Sequence, residues 1–414
     1  MKRISLAGIL ALSLLLAAGC RPKPEVPYAT YLKDAPAYMP APGSKNAYDD
    51  YVSLGLEAAK TLEEPQTSTF SPGVREVMRN RSLPLLKKLE AASQKPCTFE
   101  FRASRPLNTP GPGTGWAKLA RALAWTVDGA VAAENWPEAV RWTRVGMTVG
   151  FDLNGGGVVD GASGLAMADG VRNAVARGLP KMPADQLEKL SKAVREALLR
   201  FPAADVTLVN EHQNELAAIQ TLQDAYRSRK AKGLDAISAT VYKDAKDSIA
   251  YLQAMSEDER PKYFVGLANE VDEGFVLLRA SLKMLPKEKQ ERAQAREADL
   301  GKVNYRPWKK LMPHFFEASK PYLDQRTLSL TRSRILVLSA LAQGGVKTSG
   351  AAPDVLKLIA GDVTIDPYSG RALGYAKAGP DFNVYSVGAD GRDDGGDTED
   401  GLHPDIRLLG SLAN

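Results

Sequence analysis

The sequence predicts a mostly α-helical protein, an irregular array of helical hairpins followed by a small C-terminal β-hairpin and an acidic loop. Three observations carry that expectation. Apolar residues recur at three- and four-residue spacing, as in Trp116, Leu119, Leu123, Val127 and Ala130, which places them along one face of a helix. The short Glu134-Asn135 break is followed by Trp136 and by Pro137 near a first turn, so two amphipathic helices meet at a corner and must pack antiparallel. After Ser349-Gly350 the texture changes to turn residues, short β-prone runs and clustered acids.

In chain order, Asn46 and Ala47 open a helix with Tyr51 and Leu54 and Ala58 on its apolar side. Pro96-Cys97-Thr98-Phe99-Glu100-Phe101 alternates aromatics, as a short strand or extended segment does. The stripe from Trp116 pairs with the one from Trp136 through Ala139, Val140 and Met147, with the two tryptophans expected at facing positions of one hairpin. Leu187, Leu190, Val194, Leu198 and Phe201 form another stripe, stopped by Pro202, and Val209, Leu216, Ile219 and Tyr226 form the next. Further helices are expected over 235–255, 260–284 and 315–343. No strict period runs through these units, so the array resembles a degenerate tetratricopeptide solenoid more than a true repeat. Beyond it, Asp366-Pro367-Tyr368-Ser369-Gly370 is a turn sequence leading into Arg371 to Lys377 and Phe382 to Val387. Gly379-Pro380-Asp381 separates these runs, as in a hairpin with a longer loop.

Ahead of the helices lies an export signal: Lys2 and Arg3, an apolar run from Ile4 to Leu16, then Ala17, Ala18 and Gly19 before Cys20. The apolar run is shorter than the roughly 20 residues a spanning helix needs. Leu-Ala-Ala-Gly-Cys resembles the lipobox of bacterial lipoproteins, which implies cleavage before Cys20 and a diacylglycerol on its thiol. Arg21 follows in place of the Asp that retains such proteins in an inner membrane, which favours the outer membrane in a cell that has one. Pro22, Pro24, Pro27, Pro36, Pro40 and Pro42 then make a semi-extended tether. The expected units are a signal peptide over 1–19, a tether over 20–44, a helical domain over 45–349, and a C-terminal segment over 350–414.

A chain of 414 residues exceeds what one growing core accommodates, so two domains or one extended array are expected. The formal charge of +5 includes Lys2 and Arg3, leaving +3 on the mature chain, too little and too scattered for nucleic acid. Lipidation of Cys20 leaves Cys97 without an intramolecular disulfide partner, and a buried inert thiol is the expectation there.

Motifs for strong catalytic sites are absent from the sequence: no Gly-x-Ser-x-Gly, His-Glu-x-x-His, Ser-x-x-Lys or Cys-x-x-Cys. His212 shares a helical face with Val209, Leu216 and Ile219 and reads as a packed, hydrogen-bonded histidine; His314 and His403 have no second histidine or cysteine nearby. Glu211 and Glu215, four apart, stack on one helix face, where a solvated face or an interhelical salt bridge is expected over half of a catalytic carboxylate site. Gly111-Pro112-Gly113-Thr114-Gly115 superficially resembles a phosphate loop but lacks the Lys-Ser/Thr pair. The acidic tail, with Asp390, Asp393, Asp394, Asp397, Glu399, Asp400 and Asp405 among glycines, supplies the oxygens that Ca²⁺ requires. A solvated tail without a fixed ion is the alternative.

Asp366-Pro367 through Gly370, Leu373-x-Tyr375, and Tyr385-Ser386-Val387-Gly388-Ala389-Asp390-Gly391 resemble the C-terminal region of the type II secretion major pseudopilins. That resemblance implies a Ca²⁺ ion held by the Val387 carbonyl, Asp390 and Asp397, with Asp394 and Asp400 as alternative ligands. The pseudopilin methylated aromatic and long N-terminal helix are missing, so the chain is not expected to be a pilin subunit. Over its mature length the chain is similar to a group of bacterial envelope proteins of uncharacterised activity that join Asn46-Ala47…Tyr51, Pro96-Cys97…Phe99, helical hairpins and this tail. The function expected is a membrane-anchored, non-enzymatic interaction scaffold for another envelope protein with a calcium-stabilised tail. The alternatives are an envelope glycan or peptidoglycan hydrolase using Glu211 or Glu215, and an accessory factor of a secretion or pilus apparatus.

Overall fold

The computed structural model describes residues 45–63, 70–99, 112–227, 255–256, 259–282, 319–359, 361–396 and 405–408. Its helices are α1 (Ala47–Thr61), α2 (Pro72–Ser93), α3 (Gly113–Ala132), α4 (Trp136–Leu153), α5 (Val158–Ala176), α6 (Ala184–Leu198), α7 (Ala204–Arg227), α8 (Glu259–Ser281), α9 (Ser319–Ser349) and the single turn α10 (Val355–Leu358). Two strands, β1 (Gly374–Ala378) and β2 (Asp381–Tyr385), form an antiparallel ribbon. The protein is therefore mostly α-helical with a small C-terminal β-hairpin.

Local chemistry sets several helix ends. Asn46 accepts the Tyr48 N–H at 3.2 Å as the α1 cap, and its amide donates to the Thr98 carbonyl at 2.8 Å, tying the cap to the Cys97 segment. Ser71 caps α2, and Pro72 occupies the first turn, where no N–H is needed. Two helices lack a clear sequence stripe for different reasons. α2 carries Pro84 in its interior. α5 packs against α3, α4 and α9, buries the polar Asp160 and Arg172, and leaves small Ala162 and Ala166 with Asp169 and Asn173 on its open side, so apolar and polar residues do not separate into stripes.

Small residues let these helices approach. A Cβ on Gly150 would lie 2.6 Å from the Gly164 carbonyl oxygen, and one on Gly164 would collide with the Gly150 carbonyl, so α4 and α5 touch backbone to backbone. Gly115 does the same against Gly55, which brings α3 onto α1. The 111–115 glycines thus include a packing contact, and Pro112 accepts the Trp116 N–H at 2.8 Å as α3 begins.

Trp116 and Trp136 are both buried, but they do not face each other. Trp116 packs at Gly55 and donates its indole N–H to the Tyr51 carbonyl at 2.8 Å, whereas Trp136 lies beside Val131 and Gly178. Each begins its own helix, and in an antiparallel pair two N-termini lie at opposite ends. Over helices of this length that separation is roughly 25–30 Å.

The main core joins α1 to α6 with α9, and a second cluster joins α7 and α8 to Val158, Leu165, Tyr322 and Leu323. α9 returns to pack on both α5 and α6, so the array is closed by a helix distant in sequence, unlike a solenoid whose units touch only neighbours. A third cluster seats Val355, Leu373 and Val384 on Ile335, Leu338 and Ala342 of α9. The hairpin turn is tighter than the sequence suggested, with Ala378 paired to Asp381 across Gly379-Pro380 alone. Gly379 has φ 62°, which suits the first central position of a two-residue hairpin turn. Residues 96–99 form no strand.

Candidate functional site

Two groups of acids stand out. The first surrounds the loop between α4 and α5, Asn154-Gly155-Gly156-Gly157, where each glycine makes room for a different neighbour. A Cβ on Gly155 would enter the Phe99 ring, one on Gly156 would meet Asp160 Oδ2 and the Tyr48 hydroxyl, and one on Gly157 would meet Glu211 Oε2 and the Asn214 amide at 2.9 Å each. Gly157 also has φ 118°, a conformation other residues adopt only with strain.

The backbone N–H of Val158, the first residue of α5, donates to Glu211 Oε2 at 2.8 Å. The Asn214 amide stands beside Glu211 Oε2 at the same glycine, and Glu215 lies one turn along α7. Burial pushes both pKa values up, that of Glu215 far up, with the Glu211 charge adding to the effect. Asp160 repels Glu211 from the first turn of α5 and accepts a hydrogen bond from the Tyr48 hydroxyl. The positive end of α5 offsets the charge of both acids. Behind them, Tyr322 donates to Asn154 Oδ1 at 2.8 Å, and Thr207 donates to the Asn154 carbonyl.

Glu211 is therefore neither on a solvated face nor in an interhelical salt bridge. It is buried and bonded to the α5 N-terminus. Sequence periodicity missed Tyr48, Asn154, Asp160, Thr207 and Tyr322, because they come from α1, the α4–α5 loop, α5, α7 and α9. The triple glycine was the one sequence signal for a crowded loop. His212 meets its expectation, with Nε2 2.6 Å from Asp272 Oδ1 and its ring stacked on Phe275.

The second group is the acidic loop after β2. Asp366, fully buried, accepts from Tyr368 N at 2.9 Å, Ser386 Oγ at 2.8 Å, Ser369 Oγ at 3.2 Å and Val387 N at 3.2 Å. It binds the Asp-Pro-Tyr-Ser-Gly turn to the end of β2. Asp390 turns back on the Arg392 N–H at 3.1 Å, and Asp393 accepts from the Tyr385 hydroxyl at 2.9 Å and the Gly395 N–H at 3.0 Å. Asp405 is buried, and its Oδ2 accepts from Asp394 N at 3.1 Å and Gly396 N at 2.7 Å. Its other oxygen, Oδ1, is buried with no hydrogen-bond partner. Burial pushes the Asp405 pKa up.

Of the expected calcium ligands, Val387, Asp390 and Asp394 are described, and Asp397 and Asp400 lie outside the described residues. Among the described residues no group of three or more histidine, cysteine, aspartate or glutamate side chains is placed to hold a metal ion. The orphaned Asp405 oxygen fits a hard cation, which takes carboxylate oxygens. Cys20, the tether, His314, His403 and most of the helix expected over 235–255 also lie outside the described residues. Among the described helices none is long and apolar enough to cross a membrane. Cys97 is half-buried, and burial pushes its thiol pKa up, which leaves it a poor nucleophile.

No protein-family model matches this chain, and no curated protein or solved structure is significantly similar to it.

Proposed function

We propose that this chain is an exported lipoprotein, held to a membrane surface through lipid on Cys20, whose helical body serves as a non-enzymatic scaffold for another envelope protein. The observation that carries the address is the Leu-Ala-Ala-Gly-Cys motif after a short apolar run with Lys2 and Arg3 ahead of it. Two or three acyl chains give lasting attachment where a single chain gives marginal binding. The C-terminal segment is proposed to take Ca²⁺, with Val387, Asp390 and Asp397 as ligands on the pseudopilin resemblance and the unpartnered Asp405 oxygen as the structural observation favouring a cation there.

A hydrolase using Glu211 is the less favoured reading, because that carboxylate is buried and its Oε2 accepts the Val158 N–H. Metabolic labelling with a fatty acid tests the address. The wild type should incorporate label and Cys20→Ser should not; an unlabelled wild type would overturn the proposal.

A further inference from the structure

We infer that the α7–α8 hairpin is a lid that opens as one unit about Ala203 and leaves the rest of the body folded. The inference concerns the body alone and does not rest on the proposed membrane address. Its basis is where the contacts of the hairpin lie. Among the described helices α8 packs on α7, and α7 reaches the body chiefly at α5. The apolar cluster inside the hairpin, with Leu208, Leu216, Phe264, Val271 and Phe275, is separate from the main core, and the buried residues that the body lends it are Val158, Leu165, Tyr322 and Leu323.

Three polar contacts fasten the closed hairpin, and all three meet one loop. Thr207 donates to the Asn154 carbonyl, the Asn210 amide donates to the Gly155 carbonyl, and Glu211 accepts the Val158 N–H at 2.8 Å. Spacings of three and four residues put Thr207, Asn210 and Glu211 on one face of α7, so they engage and release the loop together. Gly157 has no side chain to hold that face away, since a Cβ there would meet Glu211 and Asn214 at 2.9 Å.

Other contacts keep the hairpin whole and set its pivot. Asp205 pairs with Arg279, and His212 is bound to Asp272 and stacked on Phe275, so α7 and α8 stay joined when the loop contacts break. On the body side, Arg200 is bound to Asp152 and to the Ser93 and Lys95 carbonyls, the Phe201 ring centre lies 4.6 Å from that of Phe151, and Arg326 holds the Pro202 carbonyl. Ala203, exposed and outside any helix, comes next, and α7 begins at Ala204. Opening there uncovers Val158, Leu165 and Tyr322 and frees the Val158 N–H at the start of α5.

The test is native-state amide hydrogen exchange of the full chain. A detached pair of helices is only marginally stable, so its amides exchange from the open state. In the wild type the α7, α8 and Val158 amides should share one level of protection, below that of α3 and α4, and their opening should rise less steeply with denaturant because it exposes less surface. Asn210→Ala removes one lid contact and should speed exchange in both α7 and α8 about fivefold. Val127→Ala truncates a buried α3 side chain of the main core. It should speed α3 and α4 exchange at least about tenfold and leave α7 and α8 unchanged, because that core is intact whether the lid is open or closed. Equal acceleration of α3, α7 and α8 by Val127→Ala, or equal denaturant slopes in the wild type, would mean that the hairpin opens only with the whole body and would overturn the lid. So would Asn210→Ala acting on α7 without α8, or on neither.

Discussion

Asp152 shows how a buried charge can organise a fold while costing it stability. Arg200 donates to it through Nε at 2.9 Å and Nη2 at 2.5 Å, and the Tyr51 hydroxyl adds a third hydrogen bond at 2.8 Å. The remaining Arg200 donors reach the Ser93 carbonyl at 2.8 Å and the Lys95 carbonyl at 2.9 Å, which closes the C-terminal end of α2 against α4. Despite this pairing, burial pushes the Asp152 pKa up to about 6, with Arg200 and Tyr51 opposing the shift. A carboxyl raised on folding favours the native state at low pH. Its contribution should therefore be present below about pH 4 and be lost as pH rises through about 6. Denaturant unfolding across that range should show the decline, and Asp152→Asn should remove it. Arg200→Met should cost about 3 kcal/mol at neutral pH, because it leaves a buried carboxylate without its cation. An Arg200→Met protein as stable as the wild type would mean that Asp152 takes up a proton at little cost.

At the scale of elements, the α4–α5 seam depends on the absence of side chains. Gly150 and Gly164 stand across from each other so closely that a Cβ on either would meet the partner's carbonyl oxygen. Backbone on both sides cannot rotate away as a side chain can, so a new methyl group must separate the helices. Gly164→Val should cost about 3 kcal/mol, at the upper end of what overpacking does, and lower the melting temperature. Gly73→Ala is the matched control. A Cβ there meets nothing within 4 Å, so the change should be neutral or slightly stabilising through helix propensity. Equal melting temperatures for the wild type and Gly164→Val would show that the seam yields. The same crowding accounts for α5 lacking a sequence stripe: it buries Asp160 and Arg172 and leaves small alanines on its open side, so polarity does not sort by face.

At the scale of the molecule, the C-terminal segment is fastened to the body at several points. Ile335, Leu338 and Ala342 of α9 receive Val355, Leu373 and Val384, and Arg334 donates to the Ile365 carbonyl at 2.6 Å; within the segment itself, the Tyr375 hydroxyl donates to the Pro353 carbonyl at 2.5 Å. Among the described residues, the acidic loop is held by Asp405 on two backbone N–H groups, by the Tyr385 hydroxyl on Asp393 and by an isolated bridge between Ser386 and Ile406. A cation that binds the folded loop and not the unfolded one would stabilise it by mass action. Ca²⁺ should then protect the chain beyond Asp366 from proteolysis, and Asp390→Ala should abolish that protection. Mg²⁺ should protect less, since it demands tighter octahedral geometry and keeps its water. Equal protection by NaCl at matched ionic strength would reduce the effect to screening.

The amino-acid sequence by itself determined the class of fold, because a helix with one buried face must repeat its apolar residues with the helical period. The Trp116 and Trp136 stripes, the corner between them and the change of texture after Ser349 were legible for that reason. It also determined the Asp-Pro-Tyr-Ser-Gly turn, where Pro367 fixes φ and Gly370 permits the left-handed conformation the turn needs. Tertiary structure alone decided which way α7 faces. Glu211 and Glu215 share a helical face by their spacing, and only the position of Gly157 and the first turn of α5 places Glu211 in the interior. It alone decided that the two tryptophans lie at opposite ends of their hairpin, and that Asp366 gathers four donors from two segments. The physical reason is range. Periodicity and turn chemistry act over a few residues, whereas a buried polar group is satisfied by whatever the packed chain brings to it, here from positions as far apart as Asn154 and Tyr322.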